Sequence, residues 1–284
     1  MKREFIKSAA LKMTAAAAVL MMAGSVFAAG TKDTAAKTSA GSSSGTVQNG
    51  VLKIGTEIGY PPMEYFAEDG KTPAGFDIEL GKAVAARLGM KAEFVDTAWD
   101  GIFAGLDTKK YDCIMSSVTI TDERKAKYDF SVPYIGNGQS IVLKKGSKFS
   151  ASRPEELAGL RVGYQAECTS DFFMTKWAEK GLKFQAEEYD KVLNCFDDLK
   201  VGRCDAVVAD ALVSVSYISQ KDSPFVMTWQ GTPNEFFGVT FKKGNTVLQE
   251  KVNKVIADML ADGTLKKISM DTFNADLVSS SLNK

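Results

Sequence analysis

Histidine is absent from this sequence of 284 residues. Its absence excludes acid–base catalysis by imidazole and the Ser-His and Cys-His nucleophile pairs. Only four cysteines occur, at positions 113, 168, 195 and 204, and none shows the C-x-x-C spacing of a zinc site. We therefore expect neither a metal nor another cofactor.

An excess of charge of one sign is also absent, since 35 Lys and Arg balance 35 Asp and Glu. Loss of residues 1–28 would remove four basic residues and one acidic residue, leaving 31 basic against 34 acidic. Such a balance gives no sign of a polyanionic partner. Nucleic acid is therefore not an expected partner.

The first 28 residues have the pattern of a secretory signal peptide. Lys2, Arg3 and Lys7 precede an apolar stretch, and Val26-Phe27-Ala28 offers a small-residue cleavage site. A transmembrane anchor is the competing interpretation, but the apolar stretch is short. No cysteine stands at the cleavage point, so we expect a periplasmic protein without a lipid anchor.

Residues 29–50 are rich in Ser, Thr, Ala, Gly and Lys and contain no aromatic residue, which predicts a flexible tether. From Val51 onwards the patterns of strands and helices alternate, which favours an α/β protein with parallel sheets. The predicted strands are 51–55, 92–95, 113–115, 161–164, 183–186 and 206–209. The predicted helices are 76–88, 100–109, 170–180, 192–201 and an amphipathic segment that contains Leu248, Val252, Val255, Ile256, Met259 and Leu260.

Two stretches, 109–116 and 201–210, share one order of features and indicate two similar lobes. Each ends a helix, passes an Asp, forms a short apolar strand and delivers polar residues at the strand's carboxyl end. The strand-like stretches 139–143 and 237–241 are predicted to cross between the lobes. We expect lobe 1 to comprise residues 51–138 plus 238–284, and lobe 2 residues 139–237. Because ligands of open α/β sheets bind beyond the carboxyl ends of strands, the lobes would face each other across a cleft.

The stretch from Ser116 to Arg124 carries a possible anion site. The hydroxyls of Ser116, Ser117 and Thr119 end a short apolar strand, and Thr121 is a candidate N-cap for the helix that follows. Arg124 offers a planar fork of donors that suits a carboxylate. The alternative interpretation is an ordinary strand-to-helix connection with a solvated Arg.

Six motifs in order resemble those of the polar amino acid-binding proteins of bacterial ABC importers, across roughly residues 51–273. The motifs are TEIGYPPME (56–64), GFDIEL (75–80), WDGIF (99–103), SSVTITDER (116–124), GRCDA (202–206) and ADGTL (261–265). The resemblance implies a periplasmic-binding-protein type II fold with two crossover strands as the hinge. It also implies a monomer that closes over one L-amino acid and delivers it to a membrane permease.

The resemblance assigns a role to most candidate residues. Arg124 would hold the ligand α-carboxylate with help from Thr119 and from backbone N–H groups near Cys168 and Thr169. Physics agrees, because the start of a helix presents free N–H groups and a positive dipole. Further candidates are Asp210 and Ser117 for the α-ammonium, and Tyr60 and Trp99 as aromatic walls. The alternatives are ordinary packing for the two aromatic residues and a helix N-cap for Asp210.

Glu57 is the candidate for specificity, since in relatives its position contacts the distal part of the ligand. A carboxylate there would favour Arg or Lys, but it could also accept from glutamine or from the second ammonium of cystine. Gln139 is a weaker candidate for the same contact. At the turn 165–169, Glu167 and Cys168 depart from the Gly and Thr that are frequent in relatives.

The leading hypothesis is therefore a binding protein, not an enzyme, with a basic amino acid as ligand. A cyclic-acid dehydratase on the same fold is the alternative, with Glu57 or Glu167 as proton donor. An extracellular sensor that acts through a separate membrane protein is a third. Because an exported protein can hold disulfides, a Cys168–Cys195 bridge is also considered.

Overall fold

The computed structural model describes residues 45–282. The predicted signal peptide (1–28) and residues 29–44 of the predicted tether lie outside the described residues. Among residues 45–282, no helix has the length and hydropathy needed to cross a bilayer.

The strands and helices alternate for most of the chain, as the sequence predicts. The strands are β1 (Val51–Thr56), β2 (Tyr65–Phe66), β3 (Pro73–Ala74), β4 (Lys91–Asp96), β5 (Cys113–Ile114), β6 (Tyr128–Phe130), β7 (Ile135–Asn137), β8 (Gln139–Lys144), β9 (Arg161–Gln165), β10 (Gln185–Tyr189), β11 (Ala206–Asp210), β12 (Phe225–Gln230), β13 (Glu235–Phe237) and β14 (Thr240–Lys242). The helices are α1 (Phe76–Arg87), α2 (Trp99–Asp107), α3 (Asp122–Lys127), α4 (Thr169–Glu179), α5 (Val192–Val201), α6 (Ala211–Ile218), α7 (Thr246–Ala261), α8 (Thr264–Phe273) and α9 (Leu277–Leu282), with a short 3₁₀ helix at Pro154–Leu157.

Two five-stranded sheets, whose three parallel strands have the same order, form two lobes. The first sheet has the order β4-β1-β5-β14-β6 and the second β10-β9-β11-β8-β12. In each sheet three parallel strands are followed by one antiparallel neighbour, β14 or β8. We call the first sheet with α1, α2, α7 and α8 the first lobe, and the second sheet with α4, α5 and α6 the second lobe. The α/β fold with two lobes is thereby confirmed.

Apolar side chains of amphipathic helices hold each sheet. Leu80 and Val84 of α1 are fully buried, and Gly81 lies between them. A Cβ atom on Gly81 would lie 2.8 Å from Ile54 Cδ1 of β1, so only glycine lets the helix approach the sheet this closely. In α7, the predicted apolar face is buried except for Leu260, which is 39% exposed.

The passage between the lobes differs from the predicted crossings. The predicted stretch 139–143 is β8, an inner strand of the second sheet, and the predicted stretch 237–241 is divided between β13 and β14. The crossover strands are β7 and β13, which pair antiparallel with Asn137 opposite Glu235. At Gly238 the chain changes strand partners, and a Cβ there would lie 2.8 Å from Ile120 Cδ1.

Two further predictions are corrected. The strand predicted at 183–186 is β10 at Gln185–Tyr189, a half-exposed edge strand whose mixed polar sequence marks its start poorly. The predicted tether ends before residue 50, because the described residues 45–50 contact the first lobe. Val47 N donates to the Asp112 carboxylate, and Asn245 Nδ2 donates to Gly45 O at 3.0 Å.

Candidate functional site

A narrow cavity lies between the lobes, at the carboxyl ends of β1, β5, β9 and β11. Its lining residues are Glu57, Tyr60, Glu64, Trp99, Ser116, Ser117, Thr119, Arg124, Gln165, Cys168, Thr169 and Asp210. Every predicted site residue except Gln139 belongs to this set, so the fold brings them together from both lobes.

Arg124 is a buried cation at one end of the cavity. Thr121 caps α3 as the sequence predicts, because its side chain accepts from Arg124 N at 3.1 Å. The Arg124 side chain is not solvated, since only 8% of the residue is exposed and the burial lowers its pKa. The guanidinium donates to two backbone carbonyls, Thr119 O at 3.1 Å and Glu167 O at 3.4 Å.

Aromatic faces, not carboxylates, surround this guanidinium. Its carbon lies 5.3, 5.5 and 5.9 Å from the ring centroids of Trp99, Phe103 and Phe172. Within residues 45–282, no carboxylate oxygen lies within 4.0 Å of its nitrogens. A buried cation without a carboxylate partner is costly, and an anion bound in the cavity would compensate it.

Asp210 is a buried carboxylate at the carboxyl end of β11. It accepts from Tyr60 OH at 2.7 Å, Asn137 Nδ2 at 2.7 Å and Gln139 Nε2 at 3.0 Å. Burial, followed by the charge of Glu235, raises the pKa of Asp210 to about 7. Asp210 is also the N-cap residue of α6, as the alternative interpretation predicts, but its side chain makes no capping hydrogen bond to the helix. The group can receive a cation.

Ser116 and Ser117 are hydrogen-bonded to two buried carboxyl groups, Glu64 and Asp77, that the sequence did not reveal. Ser117 has a φ of 51°, and its N–H donates to Asp77 Oδ2 at 2.6 Å. Ser116 Oγ donates to Glu64 Oε1 at 3.1 Å and accepts from Glu57 N at 3.0 Å. Burial raises the pKa of Asp77 to about 6 and that of Glu64 well above its usual value. Both carboxyl groups therefore hold a proton more readily than exposed carboxyl groups do.

Glu57 has one oxygen free inside the protein. Its Oε2 accepts from Gln165 Nε2 at 2.8 Å, whereas its buried Oε1 has no hydrogen-bond partner. Burial raises the pKa of Glu57. Unsatisfied buried oxygens are rare in native proteins, so Oε1 indicates a place for a ligand donor.

The aromatic candidates Tyr60 and Trp99 line the cavity, and each has a second contact. The Tyr60 hydroxyl bonds to Asp210, and Trp99 Nε1 donates to Glu167 O at 3.2 Å. These contacts join the first lobe, which carries both rings, to the second. The alternative of ordinary packing does not account for two interlobe hydrogen bonds.

The turn at 165–169 begins α4 at the cavity wall. Glu167 has a φ of 59°, and its N–H donates to Asp171 Oδ2 at 2.9 Å. Cys168 Sγ bonds to Gln165 O at 2.8 Å, so the turn closes without the Gly that is frequent in relatives. All four cysteines are free thiols, and the considered Cys168–Cys195 bridge is therefore not formed.

Gln139 lies behind the cavity, where it supports Asp210. The structure adds residues that sequence reasoning missed: Glu64, Asp77, Asn137, Gln165 and Glu235. Glu64 and Asp77 stand inside quoted motifs, but only the fold shows that both carboxyl groups are buried beside Ser116 and Ser117. Glu235 follows no motif. Among the described residues, no group of three or more His, Cys, Asp or Glu could hold a metal ion.

Comparison with known proteins gives consistent matches. Residues 52–275 match the family of bacterial extracellular solute-binding proteins, family 3. The chain is 35% identical over 231 residues to the L-cystine-binding protein TcyJ of Escherichia coli (strain K12), covering 81% of this chain and 85% of the relative.

Two solved structures show the same likeness. An ancestral arginine-binding protein bound to arginine is 39% identical, with a TM-score of 0.74, over 79% of this chain and 98% of that one. The ancestral amino acid-binding protein AncCDT-1, a precursor of cyclohexadienyl dehydratase, is 35% identical, with a TM-score of 0.71, over 79% and 96%.

Proposed function

Because the chain belongs to the bacterial extracellular solute-binding proteins of family 3, we propose that it is the periplasmic receptor of an ABC importer. It captures an L-amino acid with a cationic side chain and delivers it to a membrane permease. One observation carries this proposal: the cavity has a buried guanidinium at Arg124 and a buried carboxylate at Asp210. These two charges match the carboxylate and the ammonium that every free amino acid carries.

The remaining charges of the cavity favour a cationic side chain. Once the ligand's carboxylate and ammonium face Arg124 and Asp210, the carboxyl groups of Glu57 and Glu64 remain. Burial raises the pKa of Glu64 well above its usual value, whereas Glu57 keeps an oxygen without a donor. A guanidinium or ammonium at the end of an arginine, lysine or ornithine side chain would supply both the donor and the charge.

Cystine is the second candidate, supported by the similarity to TcyJ and by its second ammonium, which would also suit Glu57. Cystine brings a second carboxylate as well, and Arg124 is the one basic residue in the described lining. Lys191 lowers the pKa of Glu57 but does not line the cavity. Glutamine could donate to Glu57, but it would leave this carboxylate without a countercharge.

A dehydratase on the same fold is the enzymatic alternative. A cyclic acid without an amino group would leave Asp210 without a cationic partner in a buried place, at a cost of several kcal/mol. Of the two candidate proton donors, Glu57 lines the cavity and Glu167 is exposed. The site therefore favours binding over this reaction.

A melting screen of the wild-type protein tests the proposal. The protein is heated with each of the twenty amino acids, ornithine and cystine. A ligand at one hundred times its Kd stabilises the folded state by about 2.7 kcal/mol, so binding raises the melting temperature. We expect the largest rise with arginine, lysine or ornithine. A rise with cystine alone would favour the second candidate, and no rise with any of them would overturn the proposal.

The variant Glu57→Gln tests whether Glu57 recognises the charge of the ligand side chain. We expect it to weaken a cationic ligand more than a neutral amino acid, because only the cation loses a countercharge. Calorimetric affinities for both ligands give the ratio. Glu167→Gln is the matched control, since it removes the same charge from an exposed side chain beside the cavity. Equal losses for both ligands would contradict the role of Glu57.

A further inference from the structure

Glu235 lies outside the cavity and contacts groups from both lobes. Its carboxylate accepts from Thr169 Oγ1 at 3.0 Å and from Thr119 Oγ1 at 3.5 Å. Gln139 Nε2 donates to it at 3.1 Å, and Asn137 Nδ2 lies at 3.5 Å. Four polar groups thus converge on one side chain.

These groups come from both lobes: Thr119 of the first lobe is tied to β13 by a backbone bridge to Phe237, whereas Thr169 belongs to the second lobe. Thr119 follows β5 of the first lobe, and Thr169 is the first residue of α4 in the second lobe. Glu235 itself lies on the crossover strand β13, where it pairs with Asn137 of the crossover strand β7. One carboxylate therefore joins the first lobe, the second lobe and the passage between them.

The same groups also belong to the candidate ligand site. Thr119 and Thr169 line the cavity beside Arg124. Asn137 and Gln139 each donate to Asp210 as well as to Glu235. A carboxylate has about four acceptor positions on its two oxygens, so Glu235 can accept from all of these donors at once.

We infer that Glu235 is a positioning residue that holds the two lobes at the separation in which the ligand is enclosed. It does so through Thr119 and Thr169, which line the cavity, while Glu235 is not itself a lining residue. Affinity should therefore depend on Glu235 whatever the ligand side chain is. This inference rests on the proposed function, since it takes the ligand to be an amino acid between the lobes.

Glu235→Ala is the first test, with affinities and dissociation rates measured for a cationic and a neutral amino acid. We expect both affinities to fall by the same factor, about tenfold, through faster dissociation. An unchanged affinity, a loss confined to one ligand or a gain in affinity would overturn the inference. A gain would mean that Glu235 competes with the ligand for the two threonine hydroxyls.

A matched control and a double-mutant cycle separate positioning from general stability. Glu188→Ala removes a carboxylate bonded to Tyr164 OH at 3.4 Å, a contact within the second lobe, and should leave affinity unchanged. Thr169→Val removes the hydroxyl that Glu235 accepts from. If the two groups act together, the double variant loses less affinity than the sum of the single losses. Additive losses would contradict the inference.

The ligand-free protein supplies a readout that does not need an amino acid. By small-angle scattering, we expect a larger radius of gyration for Glu235→Ala than for wild type and Glu188→Ala. Glu235→Gln serves if the alanine variant does not fold, and it should also expand. A radius of gyration equal to that of the wild type would overturn the inference that Glu235 holds the lobes together. The melting screen of the wild type tests the proposed function separately: if no amino acid raises the melting temperature, the proposed function is wrong, whatever the scattering shows.

Discussion

Arg124 and Asp210 are the two charged ends of one cavity, and they are prepared in different ways. The Asp210 carboxylate receives three hydrogen bonds from neutral side chains, which hold it in one orientation. Arg124 donates to backbone carbonyls and lies among three aromatic rings. The carboxylate is supported by the protein, whereas the guanidinium lacks an anion.

This difference indicates which end contributes more to binding. An incoming carboxylate gives Arg124 its missing countercharge, and neutral donors cannot do the same. An incoming ammonium meets an Asp210 whose charge is already partly compensated and whose pKa of about 7 leaves part of it protonated at neutral pH. We expect the anion end to dominate affinity and the cation end to introduce the pH dependence.

Loss of the guanidinium should have the largest effect. Charge-assisted hydrogen bonds contribute about 1.5–3 kcal/mol each, and a bidentate contact has two. Arg124→Met, which keeps much of the apolar stem, should therefore lower affinity for every amino acid by about a hundredfold or more. Calorimetry measures the loss. Arg203→Met, at an exposed ion pair with Asp198, is the control, and near-wild-type affinity in Arg124→Met would contradict the assignment of this end.

Neutralisation of Asp210, at the other end of the cavity, should lower the affinity less. Asp210→Asn removes one charge but keeps an oxygen that can accept from Tyr60, so we expect a loss of about ten- to a hundredfold. The same calorimetric titration is used, with the exposed Asp258→Asn as control. If Asp210→Asn loses more than Arg124→Met, the order of the two ends is reversed.

The pH dependence of affinity should distinguish the ends. A ligand ammonium favours ionised Asp210, so binding weakens as the pH falls through about 7, by about tenfold from pH 8 to pH 6. A ligand with a neutral side chain avoids a contribution from Glu57. The dependence should be smaller in Asp210→Asn, and an equal slope in both proteins would exclude Asp210 as its source.

Stability without ligand should show the opposite trend. A folded-state pKa above the ordinary value means that the folded protein binds more protons, so the free energy of unfolding falls as the pH rises from about 4 to about 7. Asp77 and Glu64 contribute in the same direction. Denaturant titrations at several pH values should show a smaller fall in Asp210→Asn. An identical fall would assign the effect to the other buried carboxyl groups, among them Glu57, Glu64 and Asp77.

We expect the smallest effect on affinity when one hydrogen-bond donor to Asp210 is removed. Tyr60→Phe removes one of its three donors, which raises the pKa of Asp210 further and lowers affinity by about fivefold at pH 7. Tyr65→Phe, at a ring that is 36% exposed, is the control. A loss as large as that of Asp210→Asn would mean that the hydroxyl contacts the ligand itself.

Much of the fold could be predicted because its elements are marked locally. Apolar periodicity located α1, α5 and α7, and Thr121 marked the start of α3. The edge strand β10 and the crossover strands were predicted less well. Edge strands carry polar residues on both faces, and a crossover strand is defined by a partner about one hundred residues away.

The residues of the candidate site also fall into those that the sequence predicted and those that it did not. Motifs at strand ends located Glu57, Arg124 and Asp210, because a carboxyl end places its next residues at the sheet edge. No pattern indicated the contacts of Glu235 or the burial of Glu64 and Asp77, since both depend on distances between separate segments.

The sequence by itself determined the α/β class, the two-lobed order of strands and the residue types at the cavity. Short-range periodicity and the direction of each strand are properties of neighbouring residues, and they suffice for that. Tertiary structure alone decided which carboxyl groups have a raised pKa, which oxygen of Glu57 lacks a donor and which side chain contacts both lobes. These features depend on burial and on contacts between distant segments, which exist only once the chain is folded.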